Sequence, residues 1–484
     1  MIGLAPAAAA ASVEALSATG GVALPDDRGC TMTLRRLRRA NVRDQSGHKA
    51  TEFTRWHAQP ENDQRRSAHL GTAIVLLWGI LLIAAGCGLS DWSLVHFLGP
   101  YRHGMRLLHV WGIRAVSLGL VSWGLLTVLF RHRPLVRKLN LSLFSVLVVV
   151  PPLAELGLRL SFLVPNAPTR NPALYTNLFW EDDYWKLHLR WRDKWSPDAA
   201  GHIHPLLGWS QARITMDNPY GLIEDTRTKL VPDGRKKVLF YGDSFVAGST
   251  DPSHYIPRCI DQRLRSADVL HLGVGGYGTD QIFLLFRETW HKAGERPFII
   301  MSAMTEDLDR AVLSVRTARK PRVEVDASGE LQAIDVPIPT DQADFCEHAP
   351  LDLRSFVLRF IRNTILPPVS TGYDPKVEEK KKTNREILDA FDAIVKRERL
   401  DVLYVIFIPI GTVEHEDWRE RFLKEELGKR SIAFVDSRVW IRTYCEENQV
   451  PIEALYDEGG HHNTLGNTVI ADGILRRLKE LGVE

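Results

Sequence analysis

Residues 237–248 read KVLFYGDSFVAG, a short apolar run that ends in the tripeptide Gly242-Asp243-Ser244. The run is typical of a buried strand, and the tripeptide suits a turn from a strand into a helix. A serine at the carboxyl end of a parallel strand lies at the sheet edge where ligands bind. Ser244 is therefore a candidate nucleophile, although a serine in such a turn is more often only a helix cap.

Apolar runs like this one recur toward the C-terminus and alternate with segments of helical spacing. Strands are predicted at 237–241, 269–272, 298–301, 402–408 and 432–435. Helices are predicted at 255–265, 279–293, 384–398, 416–428 and 465–481. This alternation predicts an α/β fold, a parallel sheet with helices on both faces. Residues 311–370, with several prolines and a hairpin predicted around Gly329, interrupt the rhythm and are interpreted as an insertion at the rim of the site.

Two further segments bring reactive groups to the same sheet edge. After the second predicted strand, residues 271–280 read HLGVGGYGTD, a glycine-rich loop that is not a GxGxxG dinucleotide fingerprint. Its place beside Ser244 favours an oxyanion role for Gly276 over a plain tight turn. Before the last predicted helix, residues 456–467 read YDEGGHHNTLGN. A histidine with a carboxylate a few residues earlier can be oriented by it and accept the serine proton.

Within this last segment we interpret His461 as the base, and His462 is the runner-up. Asp457 and Glu458 are both candidates for the acid that orients the histidine. The sequence does not separate these two acids. Together with Ser244, the segment completes a set of nucleophile, base and orienting acid.

The three segments, in this order and spacing, resemble the SGNH (GDSL-like) hydrolase family over roughly residues 236–484. The resemblance implies a flavodoxin-like, three-layer fold and ester hydrolysis or acyl transfer without a cofactor or metal. By that resemblance Ser244 is the nucleophile, and its N–H forms the oxyanion hole together with Gly276. The membrane-bound members of the family are similar in having transmembrane spans ahead of this domain.

One departure from the family pattern concerns the third block, where the family has an asparagine that donates to the oxyanion. Residues 304–310 read MTEDLDR, so Glu306 or Asp307 stands there instead. An ionised carboxylate would repel an oxyanion, so a protonated acid or another donor would have to substitute. The family's spacing of acid and histidine selects Glu458, whereas Asp457 is the residue type expected.

The overall composition excludes several classes of function. The 484 residues carry 61 Lys plus Arg and 59 Asp plus Glu, and this balance favours no nucleic acid or other polyanion as a partner. The cysteines have no zinc or CxxC spacing, so we predict neither a metal site nor a disulfide framework. A single bridge, Cys259–Cys346 or Cys346–Cys445, stays open; the remaining cysteines are Cys30 and Cys87.

Three apolar segments predict transmembrane helices at 70–89, 107–130 and 139–160. The first has no charge and the second only Arg114, while the third is interrupted by prolines and carries Glu155 near its end. Basic residues before the first span and between the second and third predict a cytoplasmic N-terminus without a cleaved signal peptide. The catalytic domain then lies outside the cytoplasm, in a multi-pass protein of the cell membrane.

The predicted organisation follows from these features. A disordered basic tail covers 1–67, the membrane region 68–162, an extracytoplasmic wrap 163–235, and the hydrolase-like domain 236–484. The wrap is rich in tryptophan, and we favour packing of these side chains on the domain; they are Trp180, Trp185, Trp191, Trp195 and Trp209.

The leading hypothesis is a membrane-anchored serine esterase that removes an acyl group, for example acetyl, from an envelope glycan or lipid. A second hypothesis is an O-acyltransferase that modifies an envelope polymer with a donor supplied by a partner protein. A third is a degenerate domain that binds glycan without turnover, motivated by Glu306 and Asp307.

Overall fold

The computed structural model describes residues 59–88, 107–191, 201–231, 233–365 and 374–483. Two compact units divide the chain after Ser67, and every contact discussed below belongs to the second unit. Most of the predicted tail, together with Cys30 and Trp195, lies outside the described residues.

The N-terminal part is helical, with α1 (Gln59–Gly88), α2 (Leu107–Leu129), α3 (Pro134–Phe144) and α4 (Val150–Ser161). A wider helical turn at Ser145–Val149 joins α3 to α4. The helical backbone therefore runs through the third predicted span, because its two prolines fall in the first turn of α4, where a missing N–H is tolerated. Among the described residues, one helical segment, His69–Gly88, is long and apolar enough to cross a membrane, whereas Arg114–Leu129 is apolar but shorter.

Small and polar residues join these helices. A Cβ added to Gly124 on α2 would lie 2.7 Å from the carbonyl oxygen of Gly79 on α1, so these two backbones approach closely. Asn140 on α3 is buried, and its Oδ1 accepts hydrogen bonds from α2 at 3.1 and 3.0 Å; the donors are Trp123 and Thr127.

The segment that follows the helical part contains α5 (Asp182–Trp191), the short strands β1 (Ile203–His204) and β2 (Gly208–Trp209), and α6 (Glu224–Leu230). Strands β1 and β2 pair antiparallel. The indole of Trp209 donates a 2.9 Å hydrogen bond to the carbonyl of Gly275, so this segment packs on the glycine-rich loop.

The remaining chain forms the main domain, which is built around a sheet and an insertion. The first half contains, in chain order, β3 (Lys236–Gly242), α7 (Ser244–Ala247), α8 (Ile256–Asp261), β4 (Ala267–Gly273), α9 (Thr279–Thr289), β5 (Phe298–Met304) and α10 (Asp307–Arg310). The insertion contains β6 (Arg322–Val325), β7 (Leu331–Ile334), α11 (Ala343–His348) and α12 (Phe356–Phe360). The second half contains α13 (Val377–Glu398), β8 (Val402–Phe407), α14 (Trp418–Lys429), β9 (Phe434–Asp436), α15 (Ser437–Asn448) and α16 (Thr464–Glu480).

Five of these strands form one parallel sheet in the order β4-β3-β5-β8-β9. Counted along the sheet, this is the 2-1-3-4-5 order of flavodoxin-like doubly wound sheets, and the predicted parallel α/β fold is confirmed. Gly242 on β3 pairs with Gly273 on β4. The loops that follow these two strands therefore start side by side, and they are the loops of Ser244 and of Gly276.

The five predicted strands and the five predicted helices of this domain are present, with shifted ends. Helix α13 begins at Val377 rather than at 384, and α8 ends at Asp261 rather than at 265. The hairpin around Gly329 is present as β6 and β7. The helices α11, α12 and α15 were not predicted. Of the described cysteines, Cys87, Cys259, Cys346 and Cys445 are free, so neither bridge considered from the sequence forms.

The end of α4 is tied to the insertion. A small apolar cluster with Tyr175 and Phe356 at its centre has Phe162, the residue after α4, packed against it. The Glu155 carboxylate on α4 accepts hydrogen bonds from the N–H groups of Phe356 and Val357 at 3.2 and 3.0 Å. It therefore caps the start of α12 and holds the main domain to the last helix of the N-terminal part.

Replacing Glu155 with alanine should loosen this attachment. The amides of Phe356 and Val357 would lose a charged acceptor, so their hydrogen exchange should become about tenfold faster. Arg159→Gln is the matched control, because it removes the exposed ion-pair partner of Glu155, which also lies 5.3 Å from the Phe356 ring, and leaves the carboxylate cap in place. Equal exchange rates in the Glu155 variant and the wild type would show that the cap contributes nothing.

Candidate active site

The site begins with the turn between β3 and α7. A Cβ at Gly242 would collide with Ser302 and Val246, so the chain can turn here only with glycine. The buried Asp243 side chain accepts a hydrogen bond from the Phe245 N–H at 2.9 Å and caps α7. Ser244 is then the first residue of the helix, where backbone N–H groups have no partner within the helix.

The structure brings Ser244 and His461 together. The Ser244 Oγ lies 2.9 Å from the His461 Nε2, although 217 positions separate the two residues in the chain. The Oγ also lies 3.2 Å from the Asp243 carboxylate. A serine hydroxyl that touches an imidazole nitrogen can pass its proton to that nitrogen during nucleophilic attack.

Of the two candidate acids, Asp457 is the one that contacts His461. Its Oδ1 accepts the His461 backbone N–H at 3.0 Å, and its Oδ2 accepts the Ser249 hydroxyl at 2.6 Å. Burial raises the pKa of Asp457, but these hydrogen bonds outweigh the burial and leave the pKa below its usual value. Glu458 is exposed and makes no hydrogen bond or ion pair within the described chain.

His462 lies elsewhere, in the core behind the turn between β3 and α7. Its ring centroid is 4.8 Å from that of Phe245 and 4.9 Å from that of Tyr456. Neither ring nitrogen has a hydrogen-bond partner among the described residues, and burial lowers its pKa to about 3. The runner-up base is thus placed away from Ser244, as a neutral core side chain.

This buried histidine predicts a pH-dependent stability difference. In the unfolded chain a histidine binds a proton below about pH 6.5, while folded His462 stays neutral, so the wild type loses stability as the pH falls. The free energy of unfolding of His462→Leu minus that of the wild type should therefore increase by about 2 kcal/mol as the pH falls from about 7 to about 5. Urea unfolding of both proteins over this range measures the difference. A difference that does not change with pH would contradict the interpretation of His462 as a neutral core side chain.

The glycine-rich loop after β4 lies beside the serine. A Cβ at Gly275 would be 3.9 Å from the Ser244 Cβ, and Gly276 has a φ of +81°, a conformation that favours glycine. A Cβ at Gly276 would meet the Thr317 Oγ1 at 3.1 Å, so the loop is covered by a turn from the insertion.

The third block holds an acid that faces inward. The Asp307 Oδ2 accepts the Met304 N–H at 2.9 Å, and its Oδ1 pairs with Arg310. The Arg310 guanidinium also lies 3.2 Å from Asp243 and donates to the Tyr277 carbonyl at 3.0 Å. Burial raises the pKa of Asp307 well above its usual range, and the Asp243 charge raises it further. Asp307 therefore stabilises the turn between β3 and α7, through its pairing with Arg310, rather than facing the substrate.

Glu306 is the other acid of this block. It is half-buried at the start of α10, and burial raises the pKa of its carboxyl group against the opposing charges of Arg310 and Arg419. A carboxyl group that holds a proton at higher pH repels an oxyanion less than an ionised one would. The block still offers no asparagine amide.

The basic residues between β5 and β6 were not predicted as part of the site. Lys320 is completely buried and pairs with Asp280, and it donates to the carbonyls of Arg310 and Leu313 at 3.1 and 3.0 Å. It therefore fixes the chain between Arg310 and Lys320, which packs on the glycine-rich loop. A lysine or arginine beside apolar residues such as AVLSV at 311–315 is the sequence signal that could have indicated these buried cations.

No protein-family model and no curated protein matches the chain. Among solved structures it is similar to the lipase/acylhydrolase from Enterococcus faecalis, at 12% identity over 51% of this chain and 96% of that chain, with a TM-score of 0.30. It is also similar to the acetyl xylan esterase AlAXEase, at 12% identity over 50% and 99% of the two chains, with a TM-score of 0.30. A member of the lipolytic G-D-S-L family from Veillonella parvula is similar at 12% identity over 50% and 97%, with a TM-score of 0.30.

Proposed function

We propose that the protein is a membrane-anchored serine esterase in which Ser244 is the nucleophile, His461 the general base and Asp457 the orienting acid. The observation that carries this proposal is the 2.9 Å contact between the Ser244 Oγ and the His461 Nε2. Ser244 begins a helix at the carboxyl end of a central strand, the edge where parallel sheets bind ligands.

The reaction follows from this arrangement. The Ser244 Oγ attacks the ester carbonyl while His461 takes the hydroxyl proton, and the carbonyl oxygen becomes an oxyanion directed to the N–H groups of Ser244 and Gly276. The C–O bond to the alcohol then breaks, and His461 returns the proton to the leaving alkoxide. Water attacks the acyl-enzyme in the same way, with His461 as base, and releases the carboxylic acid and Ser244.

Asp457 supports this cycle by holding the histidine loop. Its two oxygens bind the His461 backbone and the Ser249 hydroxyl, so the loop of the base is fixed to residues just after α7. A carboxylate at this place also stabilises the imidazolium that forms when His461 takes the proton. Glu458 has no part in the proposed site.

The membrane part of the proposal rests on exposed apolar surface. Most exposed large hydrophobic side chains of the described chain lie between Leu70 and Val164, on α1 to α4 and just after them. Hydrocarbon would cover this surface in a bilayer. Four basic residues lie between α2 and the first turns of α3 and support a cytoplasmic position for that turn; they are Arg131, Arg133, Arg137 and Lys138. The main domain then faces the cell envelope, where an acyl ester of a glycan or lipid is the proposed substrate.

Product analysis tests the reaction type. The full chain in detergent micelles is incubated with an acetylated polysaccharide and with an acetylated glycolipid, each with and without a free polyol acceptor. We expect free acetate whether or not the acceptor is present. Acetate that appears only on the acceptor would assign an acyltransferase instead. No product from the folded protein would contradict both and indicate a binding domain.

A further inference from the structure

A tight turn of the insertion covers the glycine-rich loop and carries an arginine. Val315 and Arg319 pair across the turn, and the Arg316 N–H donates to the Ala318 carbonyl at 2.9 Å. Thr317, at the tip of the turn, lies against Gly276, where its Oγ1 would be 3.1 Å from an added Cβ. Arg316 therefore directly precedes the residue that contacts the proposed oxyanion loop.

The Arg316 side chain is held in place by an aromatic ring and not by an acid. Its guanidinium carbon lies 4.1 Å from the ring centroid of Trp185, and the Trp185 indole is itself fixed by a 3.1 Å hydrogen bond to the Leu178 carbonyl. The Arg316 Nε is buried without a hydrogen-bond acceptor, and within the described chain no carboxylate lies at ion-pair distance from this side chain. Arg310, by contrast, is paired with two carboxylates.

Charged groups around the turn between β3 and α7, here called the catalytic turn, act on Arg316. Burial and the positive charge of Arg310 lower its pKa to about 9, while Asp243, Glu306 and Asp307 act in the opposite direction. The guanidinium is therefore still charged at neutral pH. A half-buried, charged guanidinium without an acceptor gains a strong hydrogen bond when an anionic oxygen group binds to it.

We propose that Arg316 forms a carboxylate-binding subsite beside Ser244, so that the preferred substrates are acyl esters with a carboxylate near the ester bond. This inference rests on the proposed esterase function and adds the substrate class to it. The planar guanidinium matches a planar carboxylate, and the acids of the catalytic turn would repel a doubly charged phosphate more than a singly charged group.

The test compares matched esters in the full chain in detergent. 4-Acetoxybenzoate carries the carboxylate, its methyl ester is the neutral partner, and 4-acetoxyphenyl phosphate carries the alternative anion. In Arg316→Gln, kcat/KM for 4-acetoxybenzoate should fall about tenfold, while kcat/KM for the neutral ester stays within about twofold. Arg319→Gln is the matched control: this arginine lies three positions further on, over the Phe345 ring, and its variant should keep the wild-type preference.

Three results would overturn the subsite. One is an equal loss on the charged and the neutral ester, which would assign Arg316 to the fold or to the oxyanion. Another is an unchanged rate on 4-acetoxybenzoate. The third is a larger loss of kcat/KM on the phosphate ester than on the carboxylate ester, which would show that the carboxylate is not the group that Arg316 prefers.

Binding without turnover separates this proposal from the esterase function. In the Ser244→Ala background, calorimetry should show that Arg316→Gln weakens binding of 4-acetoxybenzoate about tenfold. If the wild type hydrolyses none of the esters but this binding difference is present, the esterase proposal fails and the subsite stands. If hydrolysis occurs and the binding difference is absent, the subsite fails and the esterase stands.

Discussion

Replacing Ser244 with alanine is expected to lower kcat/KM for an acyl ester by at least about 10⁴-fold, and His461→Ala should lower it by a similar factor. Both variants remove one partner of the 2.9 Å contact on which proton transfer depends. The Ser244→Ala/His461→Ala double variant should be little worse than either single variant, because the two side chains act as a unit. Initial rates on a chromogenic acetate ester measure all three.

Ser253→Ala and His254→Ala provide the matched controls for these variants. Both residues are exposed on the turn after the catalytic helix and contact Asp251 rather than the site. Their rates should stay within about twofold of the wild type. Additive losses in the Ser244/His461 double variant would mean that the two residues contribute independently, in conflict with the proposed mechanism.

The second large effect concerns the acid. Asp457→Asn should lower kcat by about 10³-fold, because a neutral amide cannot stabilise the imidazolium that forms at His461. Glu458→Gln is the matched control, since it is the neighbouring acid and exposed, and its kcat should stay within about twofold. The reverse order, with the larger loss in Glu458→Gln, would reject Asp457 and restore the acid that the family spacing selects.

The fold could be predicted from the sequence to the extent that its elements have local patterns. The runs at 237–241 and 298–301 are apolar and bounded by turn residues, and both are central strands. Helix α15 was missed because its sequence, SRVWIRTYCEEN, contains β-branched and aromatic residues that weaken the helical signal. Its start signal, Asp436 as N-cap, falls at the end of the preceding strand.

The site residues also differ in how far local sequence patterns indicate them. Ser244 and His461 could be found because each lies in a short segment with its own pattern of turn and helix residues. The choice between Asp457 and Glu458 depends on the loop conformation, in which Gly460 has a φ of +80° and the chain folds back so that Asp457 reaches the His461 N–H. The number of residues between the acid and the histidine does not indicate that conformation.

The contacts of the basic residues Arg310 and Arg316 could not be predicted, for a different reason. Arg310 and Arg316 owe their roles to contacts with Asp243 and Trp185, residues that are distant in sequence and brought close only by the fold. The same holds for Glu155, which lies near the end of the third predicted span and caps a helix of the insertion. Three transmembrane helices, their orientation and the disordered tail stay predictions.

The attachment of α4 to the insertion also decides how the protein should be handled in experiments. A fragment that begins near residue 165 would lose Glu155 and Phe162, and with them the cap of α12 and part of the small aromatic cluster. The full chain in detergent is therefore the appropriate material.

Covalent labelling with a fluorophosphonate probe tests the central claim most directly, because this probe reacts with serines activated by a neighbouring base. The full chain is labelled in detergent, digested, and the modified peptide identified by mass spectrometry. The proposed site predicts a single adduct on Ser244 that is absent in His461→Ala and in the unfolded wild type. A folded wild type that remains unlabelled, or that carries the adduct on another serine, would contradict it.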